Sequence, residues 1–233
     1  MWEPKLYPVL RPFFRYFGSK WLMAKRYPRP KCKTIIEPFA GSACYSLHYP
    51  AKQVKLYDIN PIICGVWDYL IKSKESEILA LPLDFEDVKN TGLCQEARWL
   101  VGFWLQPGSR NPGYRKCKRN EWNRVNRQSI ADNLKYIRHW TIHQLDYKDV
   151  PPDRVTWFID PPYQGIDGKE YDYNTVIFRQ LANWVQQLEG QIIVCEQDGA
   201  DWLHFKHLHT RNLTGGTGIK QSVEMMYYRE RNL

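Results

Sequence analysis

The chain has no uninterrupted apolar stretch approaching the roughly 20 residues of a membrane-spanning helix. No apolar segment follows the start at Met1-Trp2-Glu3-Pro4-Lys5, so no secretory leader is expected. Its six cysteines (Cys32, Cys44, Cys64, Cys94, Cys117, Cys195) form no C-x-x-C pair, which argues against a structural zinc site and fits free thiols in a reducing compartment. Histidine is scarce, and its one cluster (His204, His207, His209) has no cysteine beside it, so no metal site is expected. A full G-x-G-x-x-G fingerprint, internal repeats and long low-complexity segments are also missing. These absences point to a soluble, cytoplasmic protein with no membrane partner. At 233 residues with 43% hydrophobic content, the length suits one domain, or one domain with an insertion.

Positive charge is in excess, with a net +8 and a pI near 9.1, and it is not spread evenly. Arg110, Arg115, Lys116, Lys118, Arg119, Arg124 and Arg127 crowd one central stretch, with Tyr114 and Trp122 among them. A charge run is usually a solvated face. A run of a single sign interleaved with aromatic residues favours a phosphate backbone as partner.

The strongest local signal is Val155-Thr156-Trp157-Phe158-Ile159, a short run rich in β-branched and aromatic residues that reads as a buried strand. It stops at Asp160-Pro161-Pro162-Tyr163. Two prolines fix φ and lack N–H groups, so the ladder ends there. The turn offers a carboxylate, carbonyls and a flat ring, which suits a planar ring bearing an exocyclic amine. Such a nitrogen is a poor nucleophile until its lone pair is localised. The Asp160 carboxylate and the Pro161 carbonyl can hold both N–H hydrogens while Tyr163 stacks on the ring, a case of positioning plus electrostatics. The same four residues also make an ordinary surface turn.

Two further strand-to-turn junctions precede it. Thr34-Ile35-Ile36-Glu37 reads as a strand, followed by the small-residue turn Pro38-Phe39-Ala40-Gly41-Ser42-Ala43 and a helix over Cys44 to His48, the first unit of a nucleotide-binding βαβ fold. Gln53 to Asp58 reads as the next strand. Asp58 stands seventeen residues after Gly41, close to the roughly 20 expected of an acid that accepts hydrogen bonds from ribose hydroxyls. A helix cap is the alternative reading, since Asn60-Pro61 opens a helix through Ile62, Val66, Tyr69 and Leu70. Upstream, Ser19 is a candidate cap for a short helix over Trp21, Leu22 and Met23, which puts Lys20 in its first turn against the helix dipole.

From about Lys72 to Arg138 the pattern is helical and polar, with a core-forming helix from Cys94 to Gln106 and a breaker-rich loop from Pro107 to Tyr114. Strands resume at Thr141 to Leu145, followed by Asp146-Tyr147. A helix from Thr175 to Leu188, a strand at Gln191 to Cys195, a glycine-rich loop at Thr214 to Gly218 and a last strand at Glu224 to Tyr228 complete the chain. Alternating strands and helices predict an open α/β sheet with ligands at the carboxyl ends of the strands.

Four segments in order resemble the Dam-type (D12 class) DNA adenine-N6 methyltransferases. Tyr16-Phe17-Gly18-Ser19-Lys20 is similar to the family's N-terminal cofactor motif, with Tyr16 where tryptophan is common. Ile36-Glu37-Pro38-Phe39-Ala40-Gly41-Ser42 resembles its E-P-F-x-G-[SA] loop, Leu56-Tyr57-Asp58-Ile59-Asn60-Pro61 its D-x-N segment, and Asp160-Pro161-Pro162-Tyr163 its D-P-P-Y. Thr214 to Tyr228 is similar to the terminal loop and strand.

The resemblance implies a Rossmann-like S-adenosylmethionine-dependent methyltransferase sheet. It places the catalytic domain at residues 1–71 and 141–233, with a small helical DNA-recognition insertion at 72–140. It implies S-adenosylmethionine bound by Tyr16, Gly18, Lys20, Glu37, Pro38, Phe39, Ala40, Gly41, Ser42, Asp58, Ile59, Asp146, Tyr147 and Asp160. Asp160, Pro161, Pro162 and Tyr163 would then be catalytic. Methyl transfer would go directly to N6 of an adenine flipped out of double-stranded DNA, held by Arg110, Tyr114, Arg115, Lys116, Lys118, Arg119, Arg124 and Arg127, with no metal. A monomer is expected, with a dimer as the alternative. The compact size suits a phage or mobile-element enzyme in a bacterial or phage-infected cell, where a cognate restriction enzyme would complete a restriction-modification pair.

The family's recognition region is longer than the span here and Pro107 to Trp122 does not align onto it, which separates target sequence from chemistry. Rival readings are an adenine-N6 methyltransferase on RNA, a cytosine-N4 methyltransferase, in which serine more often replaces Asp160, a protein-glutamine methyltransferase, in which asparagine does, and a catalytically silent nucleic-acid-binding module.

Overall fold

Alternation decides where the core sits. In each central strand neighbouring residues face opposite sides of the sheet. Ile35, Leu56, Phe158 and Ile193 join one buried cluster, while Ile36, Tyr57, Trp157 and Ile192 join another. The computed structural model describes residues 7–165, 176–214 and 219–232. Residues 1–5 of the N-terminal reading, Thr175, and residues 215–218 of the glycine-rich loop lie outside the described residues.

Seven strands form one sheet: β1 (Thr34–Glu37), β2 (Gln53–Asp58), β3 (Thr141–Gln144), β4 (Arg154–Ile159), β5 (Glu189–Gln197), β6 (Lys206–Thr214) and β7 (Ile219–Arg231). Their order is β3-β2-β1-β4-β5-β7-β6. The first five run parallel, and β7 returns antiparallel to both β5 and β6. The order reverses between β1 and β4, the switch point at which open α/β sheets place their ligands. The sheet is open and α/β, as the alternating pattern predicts, and its order is Rossmann-like, as the resemblance implies.

The parallel registers set Glu37 opposite Leu56, Asp58 opposite Gln144 and Ile36 opposite Trp157. Glu37, Asp58 and Asp160 therefore leave the sheet at one edge. Gly190 lets β4 and β5 approach: its φ is +93°, and a Cβ there would fall 2.1 Å from the Val155 carbonyl oxygen. A side chain at that position is incompatible with this pairing.

The helices are α1 (Trp21–Ala24), α2 (Pro61–Lys72), α3 (Glu75–Leu79), α4 (Gln95–Leu105), α5 (Arg124–Asn133) and α6 (Phe178–Gln187). Asn60 caps α2 by accepting the Ile62 N–H at 2.9 Å, with Pro61 at the first helical position. Ile63, Val66, Trp67 and Leu70 of α2 are buried. On α6 the face is Leu181, Ala182 and Val185. No helix among the described residues is long and apolar enough to cross a membrane.

The central segment has no core of its own. Ile78, Leu81, Val88, Leu100, Phe103, Trp104, Trp122 and Ile130 share one cluster with Phe13, Phe14, Trp67 and Phe158. Burial of Phe103 and Trp104 thus ties residues 72–140 to the sheet.

Three local expectations are corrected. The helix expected over Cys44 to His48 is only a 3₁₀ turn at Ser46–His48, because Ala43 takes φ 49° just before it. The last strand is longer than Glu224 to Tyr228. Its partner β6 was not expected, since a polar run such as Lys206-His207-Leu208-His209-Thr210 looks like a loop until it is paired at a sheet edge. The sixth helix begins at Phe178 and ends at Gln187.

Candidate active site

Three carboxylates stand at the carboxyl edge of the sheet, each with different partners. Glu37 is 2% exposed and accepts the Ser46 N–H at 2.8 Å. Burial pushes its pKa up to about 8, so it is largely neutral at pH 7. Asp58 accepts the Gly41 N–H at 3.0 Å on one oxygen and the Asn60 N–H at 2.9 Å on the other. Burial raises its pKa to about 6, opposed by those backbone donors. Asp160 follows β4, and its Oδ1 lies 3.4 Å from Lys20 Nζ. Burial raises it to about 6 as well, with Lys20 pulling the other way.

The turn between β1 and Ser46 is pinned from two sides. The Ala40 N–H donates to the Tyr57 carbonyl at 2.9 Å, and Trp67 Nε1 donates to the Gly41 carbonyl at 2.8 Å. Gly41 has φ 45°, and a Cβ there would stand 3.3 Å from Tyr16 Cδ1. This is a position where backbone must come close, hence glycine.

The wall opposite is built from residues 15–20. Tyr16 forms a parallel bridge with Ser109, the Phe17 N–H donates to the Ser109 carbonyl at 3.2 Å, and the Gly108 N–H donates to the Arg15 carbonyl at 3.0 Å. The Tyr16 ring meets Phe103 edge-on at 5.6 Å. Ser19 does not cap α1. Its Oγ lies 3.0 Å from Cys44 Sγ, and Lys20 occupies the cap position without a capping side-chain bond, its ammonium reaching Asp160 instead.

Between these walls lies a cavity of about 940 Å³, its open mouth included. Every residue assigned to the cofactor in the sequence lines it: Tyr16, Gly18, Lys20, Glu37 to Ser42, Asp58, Ile59, Asp146, Tyr147 and Asp160. Phe39 and Tyr147 stack with ring centres 5.4 Å apart. Phe17, Ser19, Ala43, Cys44, Asn60, Leu145, Phe158 and Val176 also line the cavity without having been singled out. Of the D-P-P-Y turn, Asp160 and Pro162 reach the cavity; Pro161 and Tyr163 are not among its lining residues.

Tyr163 is instead anchored from behind. Its hydroxyl donates to Glu224 Oε1 at 2.6 Å, and the Lys20 ammonium sits 4.2 Å from its ring centre. Tyr27 donates to the same oxygen at 2.5 Å. The next residue is held as firmly: the Gln164 N–H donates to Glu196 Oε1 at 2.6 Å, and Gln197 Nε2 donates to the Gln164 carbonyl at 2.6 Å. Trp202 Nε1 donates to Glu196 Oε1 at 3.0 Å. Glu196, Glu224 and Tyr27 were not singled out in the sequence. A glutamate directly after the apolar run Ile192-Ile193-Val194-Cys195 is the signal that marks Glu196; β7 is too polar to mark Glu224 in the same way.

The basic stretch divides. Tyr114, Arg115, Lys116, Lys118, Arg119 and Arg124 are exposed. Arg115 pairs with Asp87 at 3.3 Å, and Lys116 donates to the Leu83 carbonyl at 3.0 Å. Arg110 turns to the cavity wall, 5.8 Å from the Phe17 ring centre. Arg127 is partly buried and donates through Nη1 to the Leu81 carbonyl at 2.6 Å. Trp122, read among the cations, is 3% exposed and donates to the Pro82 carbonyl at 2.8 Å.

Residues 16–92 match the family model described as D12 class N6 adenine-specific DNA methyltransferase. That span holds Tyr16 to Lys20, the Gly41 turn and Asp58, and ends before Asp160. No curated protein matches the chain. Among solved structures, a candidate methyltransferase from Escherichia coli, yhhF, is similar at 11% identity with a TM-score of 0.38, over 85% of this chain and 76% of that one. A conserved Streptococcus pyogenes protein of unstated activity is similar at 12% identity and a TM-score of 0.31, over 83% of this chain and 84% of that one. A candidate methylase from Haemophilus influenzae is similar at 11% identity and a TM-score of 0.32, over 83% and 78%.

Proposed function

We propose that the protein is a methyltransferase that uses S-adenosylmethionine to methylate N6 of adenine in double-stranded DNA. The observation that carries the reading is the placement of Asp160 and Pro162, the first and third residues of the D-P-P-Y turn, in the wall of a cavity that the Gly41 turn and Asp58 also line. The match of residues 16–92 to the adenine-specific family supports the same reading.

The residues present fit the cofactor. Asp58 spends one acceptor site per oxygen on Gly41 and Asn60, and an ionised carboxylate offers about four in all, so capacity remains for ribose hydroxyls. The Gly41 turn brings backbone to the cavity with no side chain in the way, and Phe39 and Tyr147 give flat apolar surface. When bound there, the cofactor supplies an electrophilic methyl group.

The chain's own residues then prepare the acceptor. Above its pKa of about 6, the Asp160 carboxylate accepts one N–H of the exocyclic amine, and the Pro161 carbonyl accepts the other, which localises the nitrogen lone pair. Extruding an adenine costs a few kcal/mol; stacking on Tyr163 returns about 1–3 kcal/mol. Residues 72–140 present the exposed Tyr114, Arg115, Lys116, Lys118, Arg119 and Arg124 to the phosphates.

The test is incubation of purified protein with unmethylated duplex DNA and S-adenosylmethionine, followed by nucleoside mass spectrometry. N6-methyladenine with the wild type and at least about a hundredfold less with Asp160→Ala is the expected result. N4-methylcytosine would overturn the base, methylation of RNA alone would overturn the partner, and cofactor binding without any transfer would overturn the activity.

A further inference from the structure

Because β7 runs antiparallel to β5, its residue Glu224 lies opposite Gln197 and comes back to the edge where Glu37, Asp58 and Asp160 stand. It is 8% exposed, and a buried acid needs donors. Oε1 has three around it: the Tyr27 hydroxyl at 2.5 Å, the Tyr163 hydroxyl at 2.6 Å and the Lys20 ammonium at 3.8 Å. Two of these belong to the D-P-P-Y neighbourhood, since Lys20 also lies 3.4 Å from Asp160 Oδ1. One carboxylate oxygen thus contacts both the ring that ends the turn and the cation that neutralises its first residue.

We propose that Glu224 is a positioning residue of this site, fixing the plane of the Tyr163 ring and dividing the Lys20 ammonium between itself and Asp160. The proposal rests on the methyltransferase reading and deepens it. Pro161 and Pro162 fix the backbone but not the rotamer of Tyr163; the hydroxyl tether does that. A base stacked on the ring inherits its plane, so a loosened tether costs orientation at the amine. Without the Glu224 charge, the Lys20 ammonium would be drawn further toward Asp160 and compete with the amine for the carboxylate oxygens.

The groups that face Asp160 are Lys20 at the start of α1, Tyr27 beyond it, Glu37 at the end of β1, Tyr163 in its own turn, Cys195 and Glu196 at the end of β5, and Glu224 on β7. Burial is the first cause of the high Asp160 pKa; Lys20 lowers it and Glu224 raises it. Removing the Glu224 charge therefore lets Asp160 ionise at lower pH.

Two variants and two readouts test this. Glu224→Gln keeps an acceptor for both phenols and removes the charge; Tyr163→Phe keeps the ring and removes its tether. Steady-state methylation of duplex DNA is measured beside a carboxyl-carbon NMR titration of aspartate-labelled protein, with the Asp160 signal assigned by its loss in Asp160→Asn. Glu224→Gln is expected to lower kcat by roughly ten- to a hundredfold, the scale of a misoriented reactant, with cofactor affinity unchanged and the Asp160 titration moved to lower pH. Tyr163→Phe also removes a hydroxyl that lowers the Asp160 pKa, so it should lower kcat while moving the Asp160 titration the opposite way, to higher pH. Unchanged kcat in both variants, or a lower melting temperature in Glu224→Gln with the Asp160 titration fixed, would reduce Glu224 to a structural residue. If Glu224→Gln does not fold, unchanged kcat in Tyr163→Phe overturns the proposal by itself. A wild type that transfers no methyl group while the Asp160 titration still moves would sink the methyltransferase reading and leave the coupling of Glu224 to the turn standing.

Discussion

Gly41 and Asp58 close on each other directly: the glycine N–H donates to Asp58 Oδ2 at 3.0 Å, although the two are seventeen residues apart in sequence. The ends of two adjacent parallel strands are thereby locked into one rim, with Asn60 bonded to the second oxygen. The rim keeps its shape only while Asp58 can accept twice.

Asp58→Asn replaces one of those oxygens by a donor. Losing a hydrogen bond to a charged group costs about 1.5–3 kcal/mol, so affinity for S-adenosylmethionine should fall by roughly ten- to a hundredfold. Calorimetric titration checks it, and unchanged affinity would remove Asp58 from the cofactor site.

Asp160→Ala should abolish most transfer and leave the fold in place, because Lys20 retains Glu224 at 3.8 Å. A loss of about 10²–10³ in kcat is the scale for one electrostatic group in a water-excluded site. In the proposed reaction the active form of Asp160 is the carboxylate, present above its pKa. The rate should therefore rise with pH through about 6 and then level. Substantial turnover in the folded variant, or a rate falling through that range, would contradict the role.

Glu37 makes a prediction about stability. Its pKa rises from 4.5 in the unfolded reference to about 8 in the fold, so the folded state binds the proton more tightly. The stability from this group is fully present below pH 4.5 and is lost as pH rises through about 8. At 1.36 kcal/mol per pKa unit the loss is on the order of 5 kcal/mol. Urea midpoints measured between pH 7 and 8.5, above the titration of Asp58 and Asp160 near 6, should decline for the wild type and decline less for Glu37→Gln.

The exposed cations should separate from the inward ones. Lys118→Ala, Arg119→Ala and Arg124→Ala should each weaken duplex binding and reduce the slope of log affinity against log salt by about 1, with cofactor affinity untouched. Arg127→Ala should lower the melting temperature instead, because its guanidinium holds the Leu81 carbonyl. Fluorescence anisotropy across a salt series and thermal melts distinguish the two behaviours.

What the sequence made legible was short-range chemistry. An apolar run ending in Asp160, a small-residue turn at Gly41 and an acid at the end of Val54 to Asp58 each declare themselves within ten residues, because strand and turn preferences act locally. The contacts of Glu224 do not: its partners Tyr163 and Tyr27 lie 61 and 197 residues away, and only the antiparallel return of β7 brings them together. β6 was hidden for a related reason. An edge strand carries polar residues on both faces, so Lys206 to Thr214 lacks the apolar alternation that marks a strand with a buried face. Charge alone did not say where a side chain goes either. Arg119, Arg110 and Arg127 look alike in a charge count; in the fold one faces solvent, one the cavity and one the Leu81 carbonyl.

The pairing of residues 15–17 with 108–109 gives the central segment mechanical contact with the cavity, through the Tyr16–Ser109 bridge and the bonds on either side of it. A ligand that stiffens the Tyr16 wall therefore also stiffens the loop leading to the exposed cations. Under the proposed function the two binding equilibria then share a free-energy term, and that term is reciprocal: whatever factor cofactor occupancy applies to nucleic-acid affinity, nucleic acid must apply to cofactor affinity.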